Sequence, residues 1–411
     1  MNMSEVWVID AARTYRGLGK PGKGALSGIH PQRIASTVLA ALAQRTGIDT
    51  RDVDDVILGC GTQAGLQGWC IARMAALDAG YDTAAPGLAV DRFCGSGLSA
   101  INLAAMGVMS GMQNLVVAGG VERMSQNFSL SPGPFIDSDN THLREIHPQP
   151  HQGVCADLIA TLDGFTREDA DNLALMSQQR AHTAISNGYF DKSVLPVLHD
   201  DGSVALDHEE FPRPGTTKEG LAALKPAFEA MYAEPQDEAG TTYRQLVERT
   251  YPGVEINHIH HAGNSSGIVD GAAAIILASP DYARAHGLKP RARILSMATV
   301  GDSPELMLNA PVPAARRALQ RVGMSVEDID LFEVNEAFAV VPLRFMRELG
   351  IDANKVNVNG GAMALGHPIG ATGAIIVGTL LDELERRGLG TGLATLCTGG
   401  GMAPALVIER M

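Results

Sequence analysis

A chain of 411 residues with 45% hydrophobic and 19% charged residues is too long for one ordinary hydrophobic core, so we expect two or three folded domains rather than disorder. Its formal net charge of −14 argues against a general nucleic-acid binder, because a duplex attracts a basic surface. No long uncharged apolar stretch and no basic-then-apolar leader stand out, which predicts a cytoplasmic protein without membrane contact.

Two segments of the chain repeat the same order of helix, turn and strand. Residues 34–57 and 313–333 each predict an amphipathic helix followed by a strand. Four residues near the turns match at one constant spacing of 276 positions, as from Gly47 to Gly323, and this indicates duplicated halves. The matching pairs are Gly47 and Gly323, Asp52 and Asp328, Val53 and Ile329, and Asp54 and Asp330.

Each repeat is followed by a helix that is rich in small apolar residues. The first is predicted over residues 98–112 and precedes a strand from Leu115. The second is predicted from about Ala371 to Leu384 and precedes a strand over residues 393–397. Helices that are apolar on all sides are buried. We therefore predict an α/β fold with sheets on both sides of a helical layer.

The region between the halves, roughly residues 124–262, has a different composition. It is rich in proline and polar residues, and Thr166 is a suitable N-cap for a helix predicted over residues 167–187. Long insertions persist in compact proteins mainly when they bind a ligand, so we interpret this region as an inserted loop domain.

Four residues stand in patterns suited to catalysis, and each also has a purely structural alternative. Cys94, in Phe-Cys-Gly-Ser-Gly, is predicted at a helix N-terminus, which favours thiolate, but a buried cysteine is more often inert. His367 lies among glycines that let a ligand approach the backbone. Cys397 opens a Cys-Thr-Gly-Gly-Gly turn whose N–H groups suit an oxyanion or simply end a strand. Asn335 suits a helix cap.

The chain has five cysteines, and their spacing suggests neither disulfides nor a metal site. No C-x-x-C pair occurs, so we expect reduced thiols and no bound metal. The cysteines are Cys60, Cys70, Cys94, Cys155 and Cys397.

Taken together, the motifs resemble the thiolase family of acetyl-CoA acetyltransferases and 3-ketoacyl-CoA thiolases. Four motifs occur in the family's order over nearly the whole chain: Phe-Cys-Gly-Ser-Gly-Leu, Asn-Glu-Ala-Phe-Ala, Asn-Gly-Gly-Ala-x-Ala-Leu-Gly-His-Pro-Ile-Gly-Ala-Thr-Gly and Cys-x-Gly-Gly-Gly-Met. The resemblance implies a thiolase-like layered αβαβα fold made of two duplicated halves plus the loop domain. The implied boundaries are 1–123 with 269–290, then 124–268, then 291–411.

The resemblance also implies a role for each catalytic residue. Cys94 would be the nucleophile that takes up the acyl group. His367 would activate it and donate to the thioester oxygen, beside a water held by Asn335. Cys397 would move a proton to or from the acetyl carbon or the CoA sulfur. The backbone N–H groups of Cys94 and Gly399 would form a second oxyanion hole.

Coenzyme A is implied as a substrate, with no other cofactor. The family pattern places Ser266 and His151 near the pantetheine, and Arg213 and Phe228 near the nucleotide. The structural alternatives are a turn serine, an exposed histidine, a surface arginine and a core phenylalanine. The resemblance further implies a homodimer or homotetramer.

Several positions depart from the usual family pattern. His260 and His261 replace an apolar residue and a threonine; we expect them to point to opposite faces of a strand and to be structural or pocket residues. Gln152 and Gly220 replace a methionine and a serine, and the stretch over residues 229–261 is longer than in compact members. The resemblance implies that these four departures surround the acyl and CoA pocket. The motifs therefore do not define the preferred length of the acyl chain.

The favoured function is cleavage of a 3-oxoacyl-CoA by CoA, as in fatty acid β-oxidation. The alternative is synthesis of acetoacetyl-CoA, because one reversible site serves both directions. A ketoacyl synthase is disfavoured by Cys397. A catalytically inactive acyl-CoA or lipid carrier is disfavoured because it would need none of Cys94, Asn335, His367 and Cys397 together.

Overall fold

The computed structural model describes residues 5–127 and 133–411, and the strands and helices below are those of that part of the chain. The strands are β1 Trp7–Thr14, β2 Gly17–Leu18, β3 Asp55–Gly59, β4 Gly87–Val90, β5 Leu115–Arg123, β6 Val194–Leu195, β7 Val197–Leu198, β8 Val204–Leu206, β9 Val269–Ala278, β10 Ala292–Gly301, β11 Leu331–Val334, β12 Thr391–Thr395 and β13 Met402–Arg410.

The helices are α1 Pro31–Thr46, α2 Ile71–Asp78, α3 Ser96–Met109, α4 Met124–Asn127, α5 Thr141–Ile146, α6 Gln152–Asp163, α7 Arg167–Ser186, α8 Lys218–Ala222, α9 Glu229–Ala233, α10 Tyr243–Thr250, α11 Pro280–Ala285, α12 Pro311–Arg321, α13 Val340–Leu349, α14 Ala362–Leu365 and α15 Thr372–Arg387. Short 3₁₀ turns lie at Thr50–Asp52, Gly65–Gln67 and Ala353–Lys355.

The main strands of both halves form one continuous hydrogen-bonded path. Its order is β11-β12-β13-β10-β1-β9-β5-β3-β4. The halves join where β1 pairs with β10, with Trp7 opposite Arg293 and Val8 opposite Ala292. Within each half, two equivalent strands pair in parallel, β3 with β5 and β11 with β12.

The predicted duplication is visible in individual hydrogen bonds. Asp54 Oδ2 accepts the backbone N–H groups of Asn114 and Leu115. In the other half, Asp330 Oδ2 accepts those of Gly390 and Thr391, at 2.8 and 2.9 Å. The aspartate and the two N–H donors of the first half each lie 276 positions before their counterparts in the second half. The same aspartate therefore anchors the start of the same strand twice.

Three hydrophobic clusters define the layers. The first packs α1 and α2 against one face of β1, β3, β5 and β9. The second contains α3 and α15 between the strands of the two halves, and the third packs α12 and α13 against β11, β12 and β13. The layered fold with central buried helices is confirmed, although α3 begins and ends two to three residues before the predicted positions.

The described part of the middle region is tied to the halves by buried charged groups. Helix α7 begins at the predicted cap, Thr166, which forms a capping box with Asp169. Glu209 bonds to Arg13 at 2.6 Å and Arg16 at 3.0 Å. Burial opposes ionisation of Glu209, but the two arginines hold its pKa at about 2. This ion pair fixes the backbone that leads to Arg213.

None of the described helices is long and apolar enough to cross a membrane.

Candidate active site

Cys94 lies in a tight turn directly before α3. Phe93 has a left-handed φ of 47°, which is uncommon for a residue with a side chain. Asp91 stabilises the turn by accepting the N–H of Phe93 at 2.7 Å, and the Ser96 hydroxyl donates to the Phe93 carbonyl at 2.6 Å. The turn presents the half-buried Cys94 at the N-terminal end of a central helix.

The expectation that this position lowers the pKa of Cys94 is wrong for the free enzyme. Burial raises its pKa to about 12, and the negative charges of Glu122 and Asp91 add to the effect. A backbone N–H opposes the rise, but one helix terminus does not compensate for burial beside two carboxylates. Cys94 is therefore a neutral thiol near pH 7 and needs a base.

His367 has a ring nitrogen that can act as that base. It is buried, and burial lowers its pKa to about 4, so the ring is neutral at pH 7. The Thr372 hydroxyl donates to the Pro368 carbonyl at 3.0 Å and therefore accepts from His367 Nδ1, 2.6 Å away. This arrangement puts the ring proton on Nδ1 and leaves the lone pair of Nε2 available.

Asn335 lies beside the available nitrogen of His367. Its Nδ2 is 3.4 Å from His367 Nε2, and its backbone N–H donates to the Thr395 carbonyl at 3.1 Å. No described residue donates a hydrogen bond to its buried Oδ1. The Asn335 amide and His367 Nε2 thus face the same point, and Asn335 Oδ1 can accept a hydrogen bond from a bound group.

The next residue, Glu336, supports the loop that leads to His367. Its carboxylate accepts from the Ser177 hydroxyl at 2.7 Å, from Asn357 Nδ2 at 3.1 Å and from the Met363 N–H at 3.1 Å. The sequence interpretation had not singled out these supporting residues or Thr372. Glu336, Asn357, Met363 and Thr372 lie within or beside the recognised motifs, whereas Ser177 lies in α7, where no motif pointed to it.

Cys397 lies near Cys94, in the turn between β12 and β13. A Cβ placed on Gly95 would lie 2.5 Å from Thr398 Cγ2, so the residues after the two cysteines touch. Burial raises the pKa of Cys397, and a charge on Cys94 raises it further. Gly399 packs against the Phe93 ring, because a Cβ there would approach Phe93 Cδ2 to 3.1 Å. The second thiol is thus also neutral and adjacent to the first.

The site contains what acyl transfer requires. It brings together a thiol, an imidazole with a free nitrogen, an amide and a second thiol in a largely buried setting. A thiol can carry an acyl group, and fixed N–H donors stabilise an oxyanion better in a buried site than in water.

Ser266 and Phe228 contact the segment after Asn335, and His151 adjoins Phe228. The Ser266 N–H donates to the Ala337 carbonyl at 2.9 Å. The carbonyl of Gly267, the residue after Ser266, accepts the His367 N–H at 2.8 Å. His151 caps α6 by accepting the Gly153 N–H at 3.1 Å, so it is a half-buried structural residue as well. Its ring lies 5.6 Å from that of Phe228.

Arg213 lies at an open pocket of about 240 Å³ that adjoins the Ser266 loop. Ala262, Gly263 and Gly220 line the same pocket, and the guanidinium of Arg213 lies over the Phe211 ring. Arg213 is exposed, so its charge is available to an anionic ligand.

His260 and His261 are buried and lie outside any strand, which corrects the expected strand placement. Their side chains still have different partners, since His260 Nδ1 and His261 Nε2 lie 2.8 Å from Asp157 and Asp171 respectively. Burial alone would raise the pKa of Asp157, but His258 and His260 hold it below its ordinary value. Among residues 5–127 and 133–411, no three metal-ligating side chains form a candidate metal site.

The fold and the two-cysteine site together define a CoA-dependent acyltransferase. Residues 6–233 match the thiolase N-terminal domain, and residues 288–410 match the thiolase C-terminal domain. The chain belongs to the thiolase family, which confirms the resemblance of its motifs. Its activity is that of a thiolase acting on an acyl-CoA.

Relatives with different printed activities are similar to this chain to nearly the same degree. The acetyl-CoA acetyltransferase of Cupriavidus necator is 39% identical over 422 residues, which cover 99% of this chain and 100% of that protein. The steroid 3-ketoacyl-CoA thiolase FadA6 of Mycobacterium tuberculosis is 40% identical, with coverage of 100% and 95%. The crystal structure of human mitochondrial 3-ketoacyl-CoA thiolase matches with a TM-score of 0.85 and 32% identity, and each chain is fully covered.

Proposed function

We propose that this thiolase cleaves 3-oxoacyl-CoA with CoA, giving acetyl-CoA and a shortened acyl-CoA. The observation that carries the proposal is the contact between Asn335 Nδ2 and the unprotonated Nε2 of His367, on a loop that packs against the start of the Cys94 helix. A protein that only bound acyl-CoA would have no use for a buried base and two adjacent thiols.

The first step is acyl transfer to Cys94. His367 Nε2 accepts the Cys94 proton as the sulfur attacks the ketone carbon of the 3-oxoacyl-CoA. The Cα–Cβ bond then breaks, the shortened acyl group remains on Cys94 as a thioester, and the electron pair forms the enolate of acetyl-CoA. Cys397 supplies the proton that converts this enolate to acetyl-CoA.

Two oxyanions need stabilisation along this route. The imidazolium of His367 and a water on Asn335 would bind the oxygen of the acetyl-CoA enolate. The buried Oδ1 of Asn335 supports the water, because that atom accepts no hydrogen bond from the described residues. The N–H groups of Cys94 and Gly399 would bind the oxygen on the carbon that Cys94 attacks.

CoA then takes the acyl group from Cys94: the CoA thiol gives its proton to the Cys397 thiolate as its sulfur attacks the thioester carbon, and the released Cys94 sulfur regains its proton from His367. We propose that the loop domain, residues 124–268, holds CoA between the halves 1–123 with 269–290 and 291–411. The contacts of Ser266 and Phe228 with the segment after Asn335 support a pantetheine path there, through Ala337 and Phe338. Arg213 would then face the nucleotide phosphates. A cytoplasmic location, a place in fatty acid β-oxidation and a homodimer or homotetramer remain predictions.

The decisive experiment is thiolysis of a panel of 3-oxoacyl-CoA substrates from acetoacetyl to long-chain and ring-bearing, with Cys94→Ala as control. Activity on medium, long or bulky substrates that is lost in the variant supports degradation. Activity confined to acetoacetyl-CoA would favour acetoacetyl-CoA synthesis. A folded wild-type protein without turnover on any substrate would contradict the catalytic proposal and favour a carrier.

A further inference from the structure

The loop that follows His367 packs against glycines of the other half. A Cβ on Gly120 would lie 1.9 Å from the Gly370 carbonyl oxygen, and a Cβ on Gly97 would lie 2.6 Å from the same atom. Real Cβ atoms do not approach this closely, so the two halves meet here backbone against backbone. Gly97 and Gly370 each lie three residues after a reacting residue, Cys94 and His367.

One buried carboxylate holds this contact together. Glu122 is the last residue but one of the strand β5, and its side chain is fully buried. Its Oε2 accepts the Gly370 N–H at 3.0 Å and the Gly61 N–H at 2.7 Å. Its Oε1 accepts from Gln67 Nε2 at 3.2 Å. Hydrogen bonds to an ionised acceptor are stronger than neutral ones, particularly when they are buried.

The arrangement leaves little freedom for the His367 loop. Gly61 also contacts the loop directly, because a Cβ there would lie 2.6 Å from Ile369 Cγ2. One oxygen of the Glu122 carboxylate thus accepts hydrogen bonds from both halves of the protein, from Gly61 of the N-terminal half and from Gly370 of the C-terminal half.

We propose that Glu122 is a positioning residue that fixes the His367 loop against the Cys94 helix, so that the base and the nucleophile meet in a reactive geometry. The inference rests on the proposed roles of Cys94 and His367. Glu122 does not touch the reacting atoms. Its negative charge works against ionisation of Cys94, together with Asp91, and Cys397 is the other titratable group that interacts with Cys94.

The test is Glu122→Gln, which keeps the side-chain shape but replaces one acceptor oxygen by a donor. We expect kcat for acetoacetyl-CoA thiolysis to fall about 10- to 100-fold, because displacements of about 1 Å at reacting groups have effects of that size. KM for CoA should stay within about threefold, because only uniform binding would raise KM alone.

A second readout separates positioning from general loss of structure. Removal of the Glu122 charge lowers the Cys94 pKa, so alkylation of Cys94 by iodoacetamide at pH 8, followed by peptide mass spectrometry, should become faster while turnover becomes slower. The matched control is Asp382→Asn. Asp382 is another buried carboxylate, ten positions beyond Thr372 on α15, or about 15 Å along the helix. Its kcat and alkylation rate should match those of the wild type.

If Glu122→Gln does not fold, Gln67→Met removes the Nε2 donor to Glu122 Oε1 and should lower kcat to a smaller degree, again at unchanged KM. Wild-type kcat and alkylation in either folded variant, or equal losses in the Asp382→Asn control, would overturn the role of Glu122. A wild-type enzyme without thiolysis would instead contradict the proposed function, and the alkylation result would still report on the contact of Glu122 with the Cys94 site.

Discussion

His367 Nδ1 lies 2.6 Å from the hydroxyl oxygen of Thr372, five residues further along the chain. The hydroxyl proton is directed to the Pro368 carbonyl, so the threonine oxygen can only accept from the ring. This bond assigns the neutral tautomer in which Nε2 has a lone pair. A residue at the start of a central helix thus orients the proposed base.

We predict that Thr372→Val lowers kcat about 10- to 100-fold with little change in KM, a smaller loss than the roughly 10²- to 10⁴-fold contribution of a general base, because His367 itself is retained. Valine has the same shape but no acceptor, so the ring can adopt the other tautomer or rotate. Steady-state thiolysis kinetics measure the effect. Thr372→Ser restores the acceptor and should retain most of the activity; an equally inactive serine variant would contradict the tautomer argument.

The pH dependence of Cys94 alkylation follows from its raised pKa. Because the pKa is about 12, thiolate increases about tenfold for each pH unit between 7 and 9 without a plateau. Iodoacetamide labelling of the Cys94 peptide, measured by mass spectrometry against Cys94→Ala, should show this slope. A plateau below pH 8 would instead reveal a thiolate–imidazolium pair in the free enzyme.

The lowered pKa of His367 makes folding stability depend on pH. The folded protein holds His367 neutral down to about pH 4, whereas the unfolded chain binds a proton below about 6.5. Since the unfolded state binds more protons in this window, stability falls as pH decreases. From pH 7 to pH 5 the loss attributable to His367 is about 2 kcal/mol.

Denaturant unfolding of the wild type and of His367→Asn at both pH values, at one fixed protein concentration, isolates this contribution. Asparagine does not titrate, so the variant should lose about 2 kcal/mol less than the wild type over the same interval. Asp270, whose pKa burial raises to about 6, acts in the opposite sense but is present in both proteins. Parallel losses in the two proteins would exclude His367 as the source.

Local patterns in the sequence predicted much of this fold. The apolar helices α3 and α15, the cap at Thr166 and the duplicated aspartates Asp54 and Asp330 depend on neighbouring residues, and the structure confirms them. The pairing of β1 with β10 was not predicted, because the two strands lie far apart in the sequence and neither pattern specifies its partner.

The electrostatics of the site depended on contacts that no local motif contains. Cys94 has the expected position, but Glu122, 28 residues later in the chain, helps to reverse the expected pKa shift. His260 and His261 are bound by aspartates about 90 to 100 positions away, so their roles could not be read from their own segment. Resemblance to the family supplied the proposed roles of single residues, whereas the tertiary structure supplied the directions of their pKa shifts.

Arg213 offers a direct test of the nucleotide end of the proposed CoA path. An exposed arginine beside a phosphate contributes about 0.5 to 1 kcal/mol, so Arg213→Ala should raise KM for CoA about two- to fivefold at low salt and less at high salt. KM for a pantetheine-type acceptor thiol, which has no nucleotide, should not change. Arg51→Ala, which removes another exposed arginine, serves as the control for net charge. An equal rise in KM for both thiols would indicate that Arg213 does not contact the nucleotide phosphates. No rise in KM for either thiol would indicate that Arg213 is a surface residue without a role in CoA binding.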